Sequence, residues 1–128
     1  MSDSTPLIHL AKIERLELLR ELFGEIVIPE AVYKECVIEG GESEDALAIK
    51  NAGWIKVEKI SDERLKRTLM LELDEGESEA IVLALERNAE LVLIDDYDGR
   101  EVARALGLKV AGTTVFSLGR SFRGKSKA

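Results

Sequence analysis

A chain of 128 residues suffices for one domain with one core, and its 45% apolar content predicts a packed globule rather than disorder. No apolar run approaches the roughly 18 residues that span a bilayer, and Met1-Ser2-Asp3-Ser4 lacks the basic-then-apolar order of a secretory leader, so a cytoplasmic protein without a membrane partner is expected. The net charge of −7 is unevenly spread: residues 1–99 carry −13 and residues 100–128 carry +6, so the acidic body suits cations better than the simple electrostatic grip of a nucleic acid.

In chain order, Ser4 or Thr5 caps a helix predicted to run to Glu14, with Pro6 in its first turn. A second helix follows from Glu14 to Phe23 and stops at Gly24. Glu25 to Ile28 reads as a short strand. Pro29 opens a helix that carries Ala31, Val32, Glu35, Cys36 and Val37 and closes at Gly40-Gly41. Ser43 caps a helix to Ala52, and Trp54 to Glu58 alternates as a strand. Ser61 to Leu71 returns to helical spacing. Leu73 to Ser78 is predicted to be an acidic turn, and Glu79 to Asn88 a helix. Leu91 to Ile94 is a continuous apolar run, as in a strand buried on both faces of a parallel sheet. Arg100 to Leu106 is a helix, Leu108 to Val110 a strand, and Gly112 to Phe122 a last helix. A basic tail follows from about residue 120. The alternation predicts a single α/β domain over residues 1–128, an open parallel sheet flanked by helices in three layers.

In such sheets ligands gather beyond the carboxyl ends of the strands. Acids recur at such places here. Asp95, Asp96 and Asp98 follow the apolar run, Glu79 opens a helix, Glu35 lies one to two turns into the helix after Ile28, and Asp3 precedes the first helix. Taken singly, each is what a helix cap, a first-turn dipole partner or a solvated face also supplies. Taken together, crowded carboxylates repel one another and call for a hard divalent cation such as Mg²⁺. Other chemistries lack their parts. His9 is the only histidine and Cys36 the only cysteine, which leaves no zinc cluster, disulfide framework or Ser-His-Asp triad. Cys36 sits on an apolar helical face and reads as a small buried hydrophobe. A glycosidase-like carboxylate pair would have only six aromatic side chains for a sugar platform. No glycine-rich phosphate loop is present, and Gly112-Thr113-Thr114 before a helix reads first as a plain cap and second as a helix N-terminus that receives a phosphate.

Four stretches in this order resemble the PIN domain family: Ser2-Asp3-Ser4-Thr5-Pro6-Leu7-Ile8, Ile28-Pro29-Glu30-Ala31-Val32-Tyr33-Lys34-Glu35, Gly76-Glu77-Ser78-Glu79-Ala80-Ile81 and Leu93-Ile94-Asp95-Asp96-Tyr97-Asp98. The closest likeness is to a prokaryotic branch related to the VapC-type toxins of toxin–antitoxin pairs. The resemblance implies a parallel sheet with its first strand central and a metal-dependent ribonuclease site at one edge. Carried over residue by residue, it implies Asp3 as the first acid, Glu35 as the second, Glu79 as the third and Asp95 or Asp96 as the fourth, with Asp98 accessory and Ser4 or Thr5 orienting Asp3. Asp3, Glu79, Asp96 and Asp98 would hold Mg²⁺ or Mn²⁺ for hydrolysis of an RNA phosphodiester. An antitoxin protein and a second copy of the chain are the partners such a toxin implies. A catalytically silent module that binds RNA or protein is the competing expectation, and a receiver-like signalling domain a weaker third. PIN-like chains usually carry about four apolar residues before the first acid, whereas only Met1 and Ser2 precede Asp3 here. Either the start lies downstream of the true one or the first strand is rudimentary. A chain restored by an upstream apolar run is expected to be the more stable.

Overall fold

The computed structural model describes residues 2, 8, 10, 11 and 15–112. The helix expected over 4–14 is seen at Ile8, Leu10 and Ala11, all helical, and otherwise lies outside the described residues. So do the basic tail and, Gly112 apart, the helix expected after β4.

Helix α1 (Glu17–Phe23) ends at Gly24, whose φ of 76° is easy only for a residue without a Cβ. Strand β1 (Ile26–Pro29) follows at the place its β-branched run predicts. Extended Pro29 then caps α2 (Glu30–Tyr33), which widens into a π-helical segment, Lys34–Ile38. There the Glu39 N–H reaches back five residues to the Lys34 carbonyl, at 2.9 Å. Ser43 Oγ accepts the Ala46 N–H at 3.3 Å and caps α3 (Glu44–Asn51), as its sequence position suggests. Strand β2 (Ile55–Glu58) leads to α4 (Glu63–Leu69), capped by Asp62 through the Leu65 N–H at 2.9 Å.

The next helix departs from the sequence expectation. Helix α5 (Glu75–Arg87) starts four residues earlier than predicted and absorbs most of the expected acidic turn. Asp74 Oδ1 accepts the Glu77 N–H at 2.8 Å, and Glu77 Oε1 accepts the Asp74 N–H at 3.4 Å. This reciprocal capping box satisfies N–H groups at the helix start, and acids there favour the helix dipole. Asn88, left-handed at φ 52°, ends α5. Strand β3 (Val92–Leu93), α6 (Tyr97–Ala105) and β4 (Val110–Ala111) complete the described chain.

The strands form two parallel pairs. β1 pairs with β2 in the register Ile26 to Ile55 through Pro29 to Glu58, and β3 pairs with β4, Val92 to Val110 and Leu93 to Ala111. Among the described residues, Ser2 is the link between the pairs: its N–H donates to the Val27 carbonyl at 3.2 Å, and it forms a parallel bridge with Leu93. Ser2 is fully buried there.

Side chains alternate across these strands between two apolar clusters. Ile26, Ile28 and Leu93 join Leu19, Val32, Cys36 and Ile49, whereas Val92 and Ile94 join Ile81, Leu83, Leu69 and Ala103. The run from Val92 to Ile94 is thus buried on both faces, which explains why it lacks polar alternation. Burying a side chain such as Ile81 contributes about 1.5–3 kcal/mol. Cys36 is buried in the first cluster, in keeping with its apolar setting in the sequence.

Candidate functional site

The acids of interest lie at the starts of α5 and α6. Asp96 caps α6, its Oδ2 accepting the Gly99 N–H at 3.2 Å. Gly99 also lets α5 approach closely. A Cβ at residue 99 would stand 2.8 Å from Glu77 Oε2 and 2.9 Å from Ile94 Cγ2. Glu77, buried, thereby brings its carboxyl to Asp96, with which it shares a hydrogen bond. Burial, then the charges of Asp74 and Asp96, push the Glu77 carboxyl up to about 7, partly offset by the Asp74 N–H. The two side chains meet at the junction of two helix N-termini, where partial positive charge favours anions.

Glu79 has different company. Its Oε1 accepts the Ala31 N–H at 3.0 Å, and its Oε2 accepts from Lys66 Nζ at 2.6 Å. Lys66 Nζ also donates to Glu75 Oε2 at 2.9 Å. The Glu79 and Lys66 side chains are 8% and 14% exposed, so this ion pair is screened far less than a surface pair. The Glu79 hydrogen bond is the first cause that holds Lys66 well above the usual lysine range, and Lys66 in turn lowers Glu75.

Of the residues singled out from sequence, Asp3 lies outside the described residues, but its neighbour Ser2 is held between β1 and β3. Asp96 sits against Glu77 rather than Glu79. Asp98 is exposed in the first turn of α6. Glu35 is half-buried in the π-helical segment, one turn beyond Ala31. Asp95 is half-buried, and its Oδ1 lies 2.9 Å from where a Cβ of Gly112 would stand, with Arg100 Nη1 at 3.1 Å from the same point. Two further functional candidates, Glu77 and Lys66, differ in how far the sequence signals them. Glu77 had a signal in the spacing Asp74-x-x-Glu77, the capping box. Lys66 had none, because its partners are set by the packing of α4 on α5.

Two buried atoms in these segments have no hydrogen-bond partner among the described residues: Ser78 Oγ, between the two glutamates, and Arg100 Nε. Among the described residues no group of three or more His, Cys, Asp or Glu side chains is spaced to hold a metal. An open hollow lined by Leu16, Arg20, Asp45 and Trp54 lies between α1 and α3 and contains none of these acids. Among the described residues no helix is long and apolar enough to cross a membrane.

A PIN-domain family model matches residues 1–118. No curated protein matches the chain. The match runs from the first residues through every strand and across Glu77, Glu79 and Asp96, and on that ground the chain belongs to the PIN-domain family.

Proposed function

We propose that this chain is a divalent-metal-dependent endoribonuclease whose site is built on Asp96 and Glu77, with Asp3 joining them. PIN domains as a class are nucleases that use divalent ions. The observation that carries the reading is the Glu77–Asp96 pair: two carboxyls meet at two helix N-termini, and burial, followed by the charges of Asp74 and Asp96, raises the Glu77 carboxyl to about 7. The donor set is all oxygen, which suits Mg²⁺ or Mn²⁺. Asp3 follows Ser2 directly in the chain, and Ser2 is anchored to the β3 strand that leads into Asp96. The two strand pairs, linked at Ser2, are read as parts of one open sheet with helices on both faces.

When bound, such an ion polarises a phosphate and lowers the pKa of a coordinated water. The chain's own groups do the rest. Asp96 and Glu77 supply negative charge at a fixed separation because Gly99 lets the helices touch. Asp98, exposed on the first turn of α6, adds charge at the rim. Glu35 orients the attacking water. The Arg100 guanidinium supplies the positive charge that holds an RNA phosphate next to Asp95.

The test is cleavage of single-stranded RNA with Mg²⁺ or Mn²⁺ by the purified protein and by Asp96→Asn and Asp3→Asn. Both substitutions are expected to abolish cleavage, and cleavage that survives both sinks the assignment. A catalytically silent module that binds RNA or protein is the second reading, favoured by the occupation of Glu79 by Lys66. RNA binding without cleavage by the unaltered protein would select it. A toxin role, with an antitoxin partner, homodimers and action in the cytoplasm, belongs to the first reading. A short neighbouring gene for a DNA-binding protein would support that role.

A further inference from the structure

Lys66 and Glu79 occupy the centre of a small buried network whose other end is the start of α2. One carboxylate oxygen of Glu79 is taken by Lys66 Nζ at 2.6 Å and the other by the Ala31 N–H at 3.0 Å. Each oxygen keeps a second lone pair, but the Lys66 ammonium already supplies the positive charge that a metal ion would bring. The Ala31 N–H is among the first of its helix and has no partner within that helix. Glu79 therefore caps α2 from another element. Residue 35 stands four after residue 31, one helical turn on and on the same side. The backbone between them changes there from α to π geometry, so α2 has only four regular residues to hold its direction.

We propose that Lys66 and Glu79 form a latch that pins the N-terminus of α2 to α5 and so positions Glu35, making Glu79 an anchor rather than a metal ligand. The inference rests on the nuclease reading for the role of Glu35, but the latch itself does not depend on a metal. It divides the acids of α5 by face: Glu77 turns toward Asp96 and α6, and Glu79 toward Lys66 and α2. Lys66 is a positioning residue, acting through Glu79 and Ala31.

The test uses the full chain and four variants: Lys66→Met, Lys66→Arg, Glu79→Gln, and the double variant Lys66→Met/Glu79→Gln. Lys66→Met leaves a buried carboxylate without its cation and is expected to lower the melting temperature by on the order of 10 °C. The double variant removes both charges, keeps a Gln oxygen for Ala31, and is expected to recover at least half of that loss. Its Mn²⁺ affinity, read from the electron paramagnetic resonance of free Mn²⁺, is expected to stay within about threefold of the unaltered protein. In RNA cleavage, Lys66→Met is expected to lower kcat at unchanged KM, with Lys66→Arg restoring it. A loss of tenfold or more in Mn²⁺ affinity for the double variant would overturn the anchor assignment. So would a double variant no more stable than Lys66→Met. An unaltered protein that neither binds Mn²⁺ nor cleaves RNA would instead overturn the nuclease reading, while the melting comparison still decides the latch.

Discussion

Glu77 does two jobs that pull against each other. As the fourth member of the Asp74–Glu77 capping box it stabilises the start of α5, and as a buried acid beside Asp96 it resists ionisation. The consequence for stability has a definite sign. With its folded value near 7 and its ordinary value near 4.5, Glu77 binds its proton more tightly in the folded state. Its contribution is therefore fully present below about pH 4.5 and is lost as the pH rises through 7. Metal-free protein is expected to melt at progressively lower temperature between pH 5 and pH 8, and Glu77→Gln to flatten that slope. Calorimetric scans of the two proteins across that range check it, and parallel slopes would contradict it. Gly99 offers a second probe at this scale. Gly99→Ala would drive a methyl against Glu77 Oε2 and Ile94. The glutamate tip is the more yielding of the two, so the expected result is a retained fold with Glu77 pushed from Asp96. Mn²⁺ affinity should fall at least fivefold while the circular dichroism spectrum is unchanged.

Among the elements, α5 carries the most consequence, because its first two turns supply Glu77 to Asp96 and Glu79 to Lys66 and Ala31. Its start depends on Asp74. Asp74→Ala is expected to cost about 1 kcal/mol, read as a lower urea midpoint at an unchanged m-value. The sequence pointed clearly to the elements whose signals are local. The apolar run Leu91 to Ile94, the Ser43 cap, and the strands at Ile26 and Ile55 needed nothing beyond neighbouring residues. The start of α5 was misplaced because Leu73 to Ser78 looks like a polar turn unless Asp74-x-x-Glu77 is read as a reciprocal cap. The π-helical widening at Lys34 was not legible, since α and π turns draw on the same side chains. The Lys66–Glu79 pair was not legible either, because it joins residues 13 apart on different helices. The same packing sets Glu77 of α5 beside Asp96, whereas the family resemblance implies Glu79 as the third acid.

For the whole molecule, the family assignment and the geometry converge on one edge of the strands. The described strands run parallel, and their carboxyl ends lead into Glu30, Asp95 and Asp96 and Gly112. Among the described residues, buried Ser2 joins the two strand pairs. The charge divides along the chain, −13 over residues 1–99 and +6 over residues 100–128; under the proposed function the acidic part would gather the cation and the basic part would meet phosphate. Under the proposed function, Asp96 and Glu77 together hold the catalytic ion. The most direct measurement is single-turnover RNA cleavage with Mn²⁺ by the unaltered protein, Asp96→Asn and Glu77→Gln, alongside Mn²⁺ affinity for each. Cleavage by the unaltered protein, with at least a hundredfold loss and weakened Mn²⁺ binding in both variants, is the expected result. Full cleavage and unchanged Mn²⁺ binding in either variant would contradict the account.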